Sequence, residues 1–181
     1  MEIQGLQALY AGHKSVKALA KALQDGSVLT IFAEGLCASA APLLFSSVAA
    51  ACPQVMACPY VFVLDDAEEA GYFYHDLTQI LGDQEVFYFP SSFRRAVKFG
   101  QRDAANEILR TEVISRLSAG HCPLFVVTYP EAVMEKVGSR QKLDEQTLRL
   151  HASERVDITF VEETLRAFGF RRVDYVYEPG Q

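Results

Sequence analysis

Four short apolar runs, at residues 28–32, 60–64, 85–89 and 124–128, recur along the chain with helical patterns between them. Each is rich in β-branched and aromatic side chains and bounded by Gly, Pro or Asp, which is how buried strands read. The segments between them carry a different period. Residues 66–81 place Ala67, Ala70, Phe73, Tyr74, Leu77 and Ile80 on one broad face and meet Gly82 where a helix would stop, and residues 103–117 are similar. Strands alternating with helices predict an α/β fold with a largely parallel sheet and helices on both faces, because each parallel pair needs a crossover that covers the sheet. Before the first apolar run, Leu6, Leu9, Tyr10, Val16, Leu19, Ala20 and Leu23 predict one or two amphipathic helices, ended by Asp25 and Gly26.

The first run leads into AEGLCASAAP at residues 33–42. This has the outline of a phosphate-binding loop, in which a strand, a G-x-x-x-x-G-K-[ST] turn and a helix bring backbone N–H groups, a lysine and a hydroxyl to phosphate and Mg²⁺. With Gly35 on the first glycine, Ala40 falls on the second, Ala41 on the lysine and Pro42 on the hydroxyl residue. The ammonium and the metal ligand are both gone. Pro42 suits a first helical turn and Ser39 a cap in front of it, so the segment reads as a strand-turn-helix corner without ligand. The alternative is a nucleotide held by the backbone N–H groups of residues 35–41 alone.

The chain has 181 residues, 50% of them hydrophobic, enough to bury a sizeable core. No apolar stretch approaches the ~20 residues that span a bilayer, and no cationic start precedes an apolar segment, so a soluble cytoplasmic protein without membrane contact is expected. Cys37, Cys52, Cys58 and Cys122 lack C-x-x-C spacing and His13, His75, His121 and His151 are scattered, which favours incidental thiols over a zinc site or a disulfide framework. A net charge of −6 argues against a general nucleic-acid-binding domain.

Asp65 and Asp66 follow the second run, where an acidic strand end holds Mg²⁺ in nucleotide hydrolases. They precede Ala67-Glu68-Glu69-Ala70 and read instead as a helix cap. Arg94, Arg95, Lys98 and Arg102 form one cationic cluster after the third run, a solvated surface or a weak contact to phosphate or the DNA backbone. Beyond Thr128 the organisation changes. Residues 129–133 start a short helix and residues 139–146 are polar, which places a domain boundary near 142. Residues 143–181 carry a second, smaller pattern: an extended 147–151, a helix over about 160–168 stopped by Gly169, an alternating strand at 171–177, and a closing turn.

Three segments carry a specific resemblance: GFRRVDYVYEPGQ at 169–181, VVTYPEAVMEKV at 126–137 and the loop GLCASAAP at 35–42. In order and spacing they resemble the N-terminal region of the bacterial transcription-repair coupling factors (Mfd), over essentially the whole chain. That region is similar to the damage-recognition helicase UvrB, whose loop keeps the P-loop Gly, Lys and Thr. The resemblance implies a UvrB-like first domain, residues 1–142, that has given up ATP, followed at 143–181 by the start of a domain that recruits the excision-repair protein UvrA. It also implies that the ATP- and Mg²⁺-dependent motor, and the contacts to RNA polymerase and double-stranded DNA, belong to later domains, so that residues 1–181 form a non-enzymatic scaffold. The family's UvrA contacts are arginines in and beyond a hairpin after Gln181; Arg171 and Arg172 lie on the strand before it, and a guanidinium-bearing β surface suits recognition of carboxylates. A strand at 171–177 without its hairpin partner is expected to fray or to pair with another molecule.

Overall fold

The computed structural model describes residues 3–25, 27–52, 57–93, 103–120 and 122–176. Two helices, α1 (Ile3–Gly12) and α2 (Lys14–Gln24), open the chain, and α3 (Ala40–Ala51) packs on both. The sheet is built from β1 (Tyr60–Val63), β2 (Val86–Phe89) and β3 (Phe125–Thr128), joined by α4 (Ala67–Leu81) and α5 (Ala104–Ala119). Three shorter helices follow: α6 (Pro130–Met134), α7 (Arg140–Glu145) and α8 (Ile158–Ala167). No helix among the described residues is long and apolar enough to cross a membrane.

β3 pairs in parallel with both β1 and β2, in the order β1-β3-β2. The chain moves outward from β1 to β2 and back from β2 to β3, so crossovers of one hand put α4 and α5 on opposite faces. Burial agrees with this. Val86, Phe125 and Val127 point to the α4 side with Ala70, Leu77, Leu44 and Val48, whereas Phe87, Leu124 and Val126 pack against Val113 of α5. β3 lies in the middle and is buried along its whole length, as a central parallel strand must be. Helices on both faces of a parallel sheet are thus as the apolar spacing predicts.

The helix limits follow from local chemistry. Asp66 caps α4, its Oδ1 accepting from the N–H groups of Glu68 at 2.8 Å and Glu69 at 2.9 Å, so Asp66 serves the helix end. Asp103 caps α5 by accepting from Ala105 N–H at 3.0 Å. At the other end Gly120 takes the left-handed conformation, φ 72°, that only glycine reaches without strain.

Two expected strands are not formed. Residues 28–32 have no ladder partner among the described residues, with Leu29 94% and Phe32 90% exposed. Residues 171–176 are likewise irregular, Tyr175 and Val176 lying in solvent, and Tyr177 is outside the described residues. Both segments have strand composition, but composition states only that a side chain suits a pleated surface, and a strand exists only where a neighbour completes its hydrogen bonds. Residues 147–151 are irregular and, apart from the half-buried Leu148, exposed. α8 and its stop at Gly169, φ 91°, match the expected helix.

Candidate functional site

Residues 33–39 are exposed, and left-handed turns at Gly35, φ 79°, and Ala38, φ 47°, lead the chain into α3. Ser39 is the N-cap residue of α3, yet its side chain caps nothing. Its hydroxyl donates instead to Oδ2 of Asp76 on α4 at 2.6 Å. Ala40 N–H is bonded to Cys37 O at 3.0 Å and Leu43 N–H to Ser39 O at 3.2 Å, and Pro42 has no N–H. A carboxylate of the chain itself therefore stands beside the helix start. It complements the helix dipole and repels a second anion. Ala41 and Pro42 offer neither an ammonium to a phosphate nor a hydroxyl to Mg²⁺.

Arg171 and Arg172 lie on an open surface. After α8 the chain turns back, Gly169 N–H donating to Arg166 O and Phe170 N–H to Leu165 O, both at 3.0 Å. This brings Arg172 Nη1 to 3.4 Å from Oε1 of Glu162 while leaving the Arg172 side chain 76% exposed. The two arginines, with Leu165, Phe170, Val173 and Val176, line a groove of about 230 Å³. An ion pair this exposed is worth roughly 0–1 kcal/mol, so Arg172 can exchange Glu162 for a partner's carboxylate at little cost. The other cationic candidates, Arg94, Arg95, Lys98 and Arg102, are outside the described residues.

The most constrained polar chemistry lies elsewhere, at the C-terminal ends of β2 and β3. Arg110 of α5 is 5% exposed. Its Nη1 donates to Pro90 O at 2.7 Å and Ala132 O at 3.0 Å, and its guanidinium carbon sits 4.1 Å from the centre of the Phe89 ring. Its Nη2 makes no hydrogen bond and faces Oε2 of Glu135 at 3.6 Å. The Glu135 carboxylate in turn accepts from the Ser91 hydroxyl, the Ser92 hydroxyl at 2.7 Å and the Ser92 N–H at 3.0 Å. Tyr129 Oη accepts from Ser91 N–H at 2.8 Å, and Asn106 donates to Ser91 O at 2.8 Å. Asp103 N–H donates to Ser92 O at 2.8 Å, pinching together the two ends of the segment between them. Sequence reasoning missed this cluster. Its signal was Asn106 and Arg110, polar residues on the same helix stripe as the buried Val113.

Burial raises the Glu135 pKa, but hydrogen bonds from Ser91 and Ser92 and the charge of Arg110 outweigh it and hold the carboxyl below its ordinary range. For Arg110, burial lowers the pKa, against the opposing pull of Glu135. A depressed carboxylate pKa gives stability that is present above the unfolded value and lost as pH falls through the folded one. The unfolding free energy should therefore drop between about pH 5 and pH 3, and Glu135→Gln should flatten that slope, as read by chemical denaturation across the window. An unchanged slope would place the acid sensitivity elsewhere.

Among the described residues no three His, Cys, Asp or Glu side chains are grouped to hold a metal ion, and the four cysteines are free thiols. Comparison of the chain with family models, with curated proteins and with solved structures finds no match.

Proposed function

We propose that this chain is a protein-recruiting scaffold, the UvrB-like N-terminal region of a transcription-repair coupling factor, which brings UvrA to stalled RNA polymerase in nucleotide excision repair. It hydrolyses no ATP itself. The translocase, with its ATP and Mg²⁺, and the contacts to RNA polymerase and double-stranded DNA belong to other parts of such a protein. The sequence resemblance at residues 35–42, 126–137 and 169–181 is the origin of this reading. What supports it physically is the pairing of a loop that has lost its phosphate ligands, and carries Asp76 beside its helix, with an exposed guanidinium surface at Arg171 and Arg172. Arginine is the cation best suited to bidentate recognition of carboxylates and is over-represented at interface hot spots.

Titration of purified UvrA tests the reading. Binding to residues 1–181 is expected to be measurable and to weaken by about 10- to 100-fold in Arg171→Glu/Arg172→Glu, in line with one or two hot-spot residues. Glu162→Ala, which frees Arg172 and gives up the exposed i,i+4 pair with Arg166, should preserve binding. A chain extended past Gln181 that binds while residues 1–181 do not would move recognition out of this region, and silence from both would remove the partner role.

A further inference from the structure

The groups that surround Glu135 are those that bind oxyanions. Oε1 accepts from the Ser91 hydroxyl and, at 3.1 Å, from the Ser92 N–H; Oε2 accepts from the Ser92 hydroxyl at 2.7 Å and from the same N–H at 3.0 Å. The cation of the set is Arg110, whose side chain is 7% exposed and whose Nη2 stops 3.6 Å from Oε2. That nitrogen is buried and has no hydrogen-bond acceptor. Two carboxylate oxygens thus satisfy the serines and leave a guanidinium N–H unserved, a costly condition inside a protein.

These donors are held in place by bonds that do not involve Glu135. Ser91 N–H donates to Tyr129 Oη and Ser91 O accepts from Asn106, while Ser92 O accepts from Asp103 N–H. Arg110 is fixed by the carbonyls of Pro90 and Ala132 and by the Phe89 ring. Glu135 itself is held less firmly. It follows the five-residue α6, its side chain is 16% exposed, and residues 136–140 after it are all exposed. Rotation of this one side chain outward vacates the cradle while the bonds that position its donors persist.

We propose that Ser91, Ser92 and Arg110 form a binding site for a dianionic phosphate, free or carried as a monoester, and that Glu135 is its displaceable internal occupant. A phosphate monoester brings three strong acceptor oxygens and a charge of about −1.5 to −2 at pH 7, so it serves the two serines and still has an oxygen for Nη2. The planar guanidinium fork suits that geometry better than an ammonium does. The cradle lies at the carboxyl ends of β2 and β3, where open α/β sheets hold their ligands, and apart from the loop at residues 35–42. Because Glu135 competes for the same donors, the intact chain binds with an affinity reduced by the fraction of molecules in which Glu135 has left.

Titration of the full chain with inorganic phosphate, read at the Ser92 amide by NMR and held at constant ionic strength with chloride, tests this. Glu135→Ala should bind saturably in the low millimolar range, and the intact chain should show the same shift at least about tenfold more weakly. Glu135→Gln, which keeps the bulk of the side chain and removes its charge, should also bind more tightly than the intact chain, and it stands in should Glu135→Ala not fold. Arg110→Lys added to either variant should weaken binding by about tenfold or more. Phenyl phosphate in a parallel titration distinguishes a monoester from the free ion, the tighter of the two naming the source. The absence of a saturable shift in the folded Glu135 variants at phosphate of the order of tens of millimolar would overturn the proposal, and so would binding that Arg110→Lys leaves unchanged.

Discussion

Arg110→Ala is expected to lower the unfolding free energy by about 3–5 kcal/mol, the range found when one partner of a buried ion pair is removed. Against a total near 5–15 kcal/mol this is a large fraction, and in urea it corresponds to a midpoint lower by about 2 M for an m-value near 2 kcal/mol per M. The loss has three sources. The carbonyls of Pro90 and Ala132 lose the donor they share, the Phe89 ring loses the cation above it, and Glu135 keeps its serines without a counter-charge. Arg110→Lys should recover only part, because one ammonium cannot serve two carbonyls and stack flat on a ring. The coupling between Arg110→Ala and Glu135→Ala in a double-mutant cycle should be clearly above 0.5 kcal/mol, the usual scatter for independent sites. A cost for Arg110→Ala below ~1 kcal/mol would mean that the pair behaves like a surface bridge despite its burial.

The second large effect is expected at Phe125, the start of the central strand. Its side chain is 1% exposed and stacks between Tyr60, at 5.9 Å between ring centres, and Phe62, at 6.3 Å. Phe125→Ala should cost about 3–5 kcal/mol, since the cavity opens under α4, where the surrounding helices relax only in part. The comparison that isolates packing is Val63→Thr, on the half-open outer strand, which should change stability by no more than about 0.5 kcal/mol. Thermal or urea unfolding of both variants decides the matter: similar losses at the two sites would contradict a core centred on β3.

The parts of the fold legible in the sequence are those fixed by local signals. Asp66, Gly82 and Asp103 mark helix limits in chemistry that involves only their neighbours, and the apolar runs at β1, β2 and β3 are short because each strand is. What remained hidden depends on distant partners. Residues 28–32 have the same composition as β1 but no ladder, and nothing within the segment distinguishes the two cases. The contact of Ser39 with Asp76 joins residues 37 positions apart, and that of Ser92 with Glu135 joins residues 43 apart. A loop stripped of lysine is visible in a string of letters; the carboxylate that stands beside it is not.

The position of Glu135 in the chain has a consequence for where this protein divides. It stands one residue past α6 and is the last side chain that binds into the polar closure of the sheet, because neither α7 nor α8 buries a residue. A cut just after Glu135 leaves every buried bond of the sheet end in place, whereas a cut one residue earlier removes the anion that holds Ser91, Ser92 and Arg110 together. Among the described residues the polar closure of the sheet thus ends on a single carboxylate, ahead of the polar stretch that composition marks as the linker.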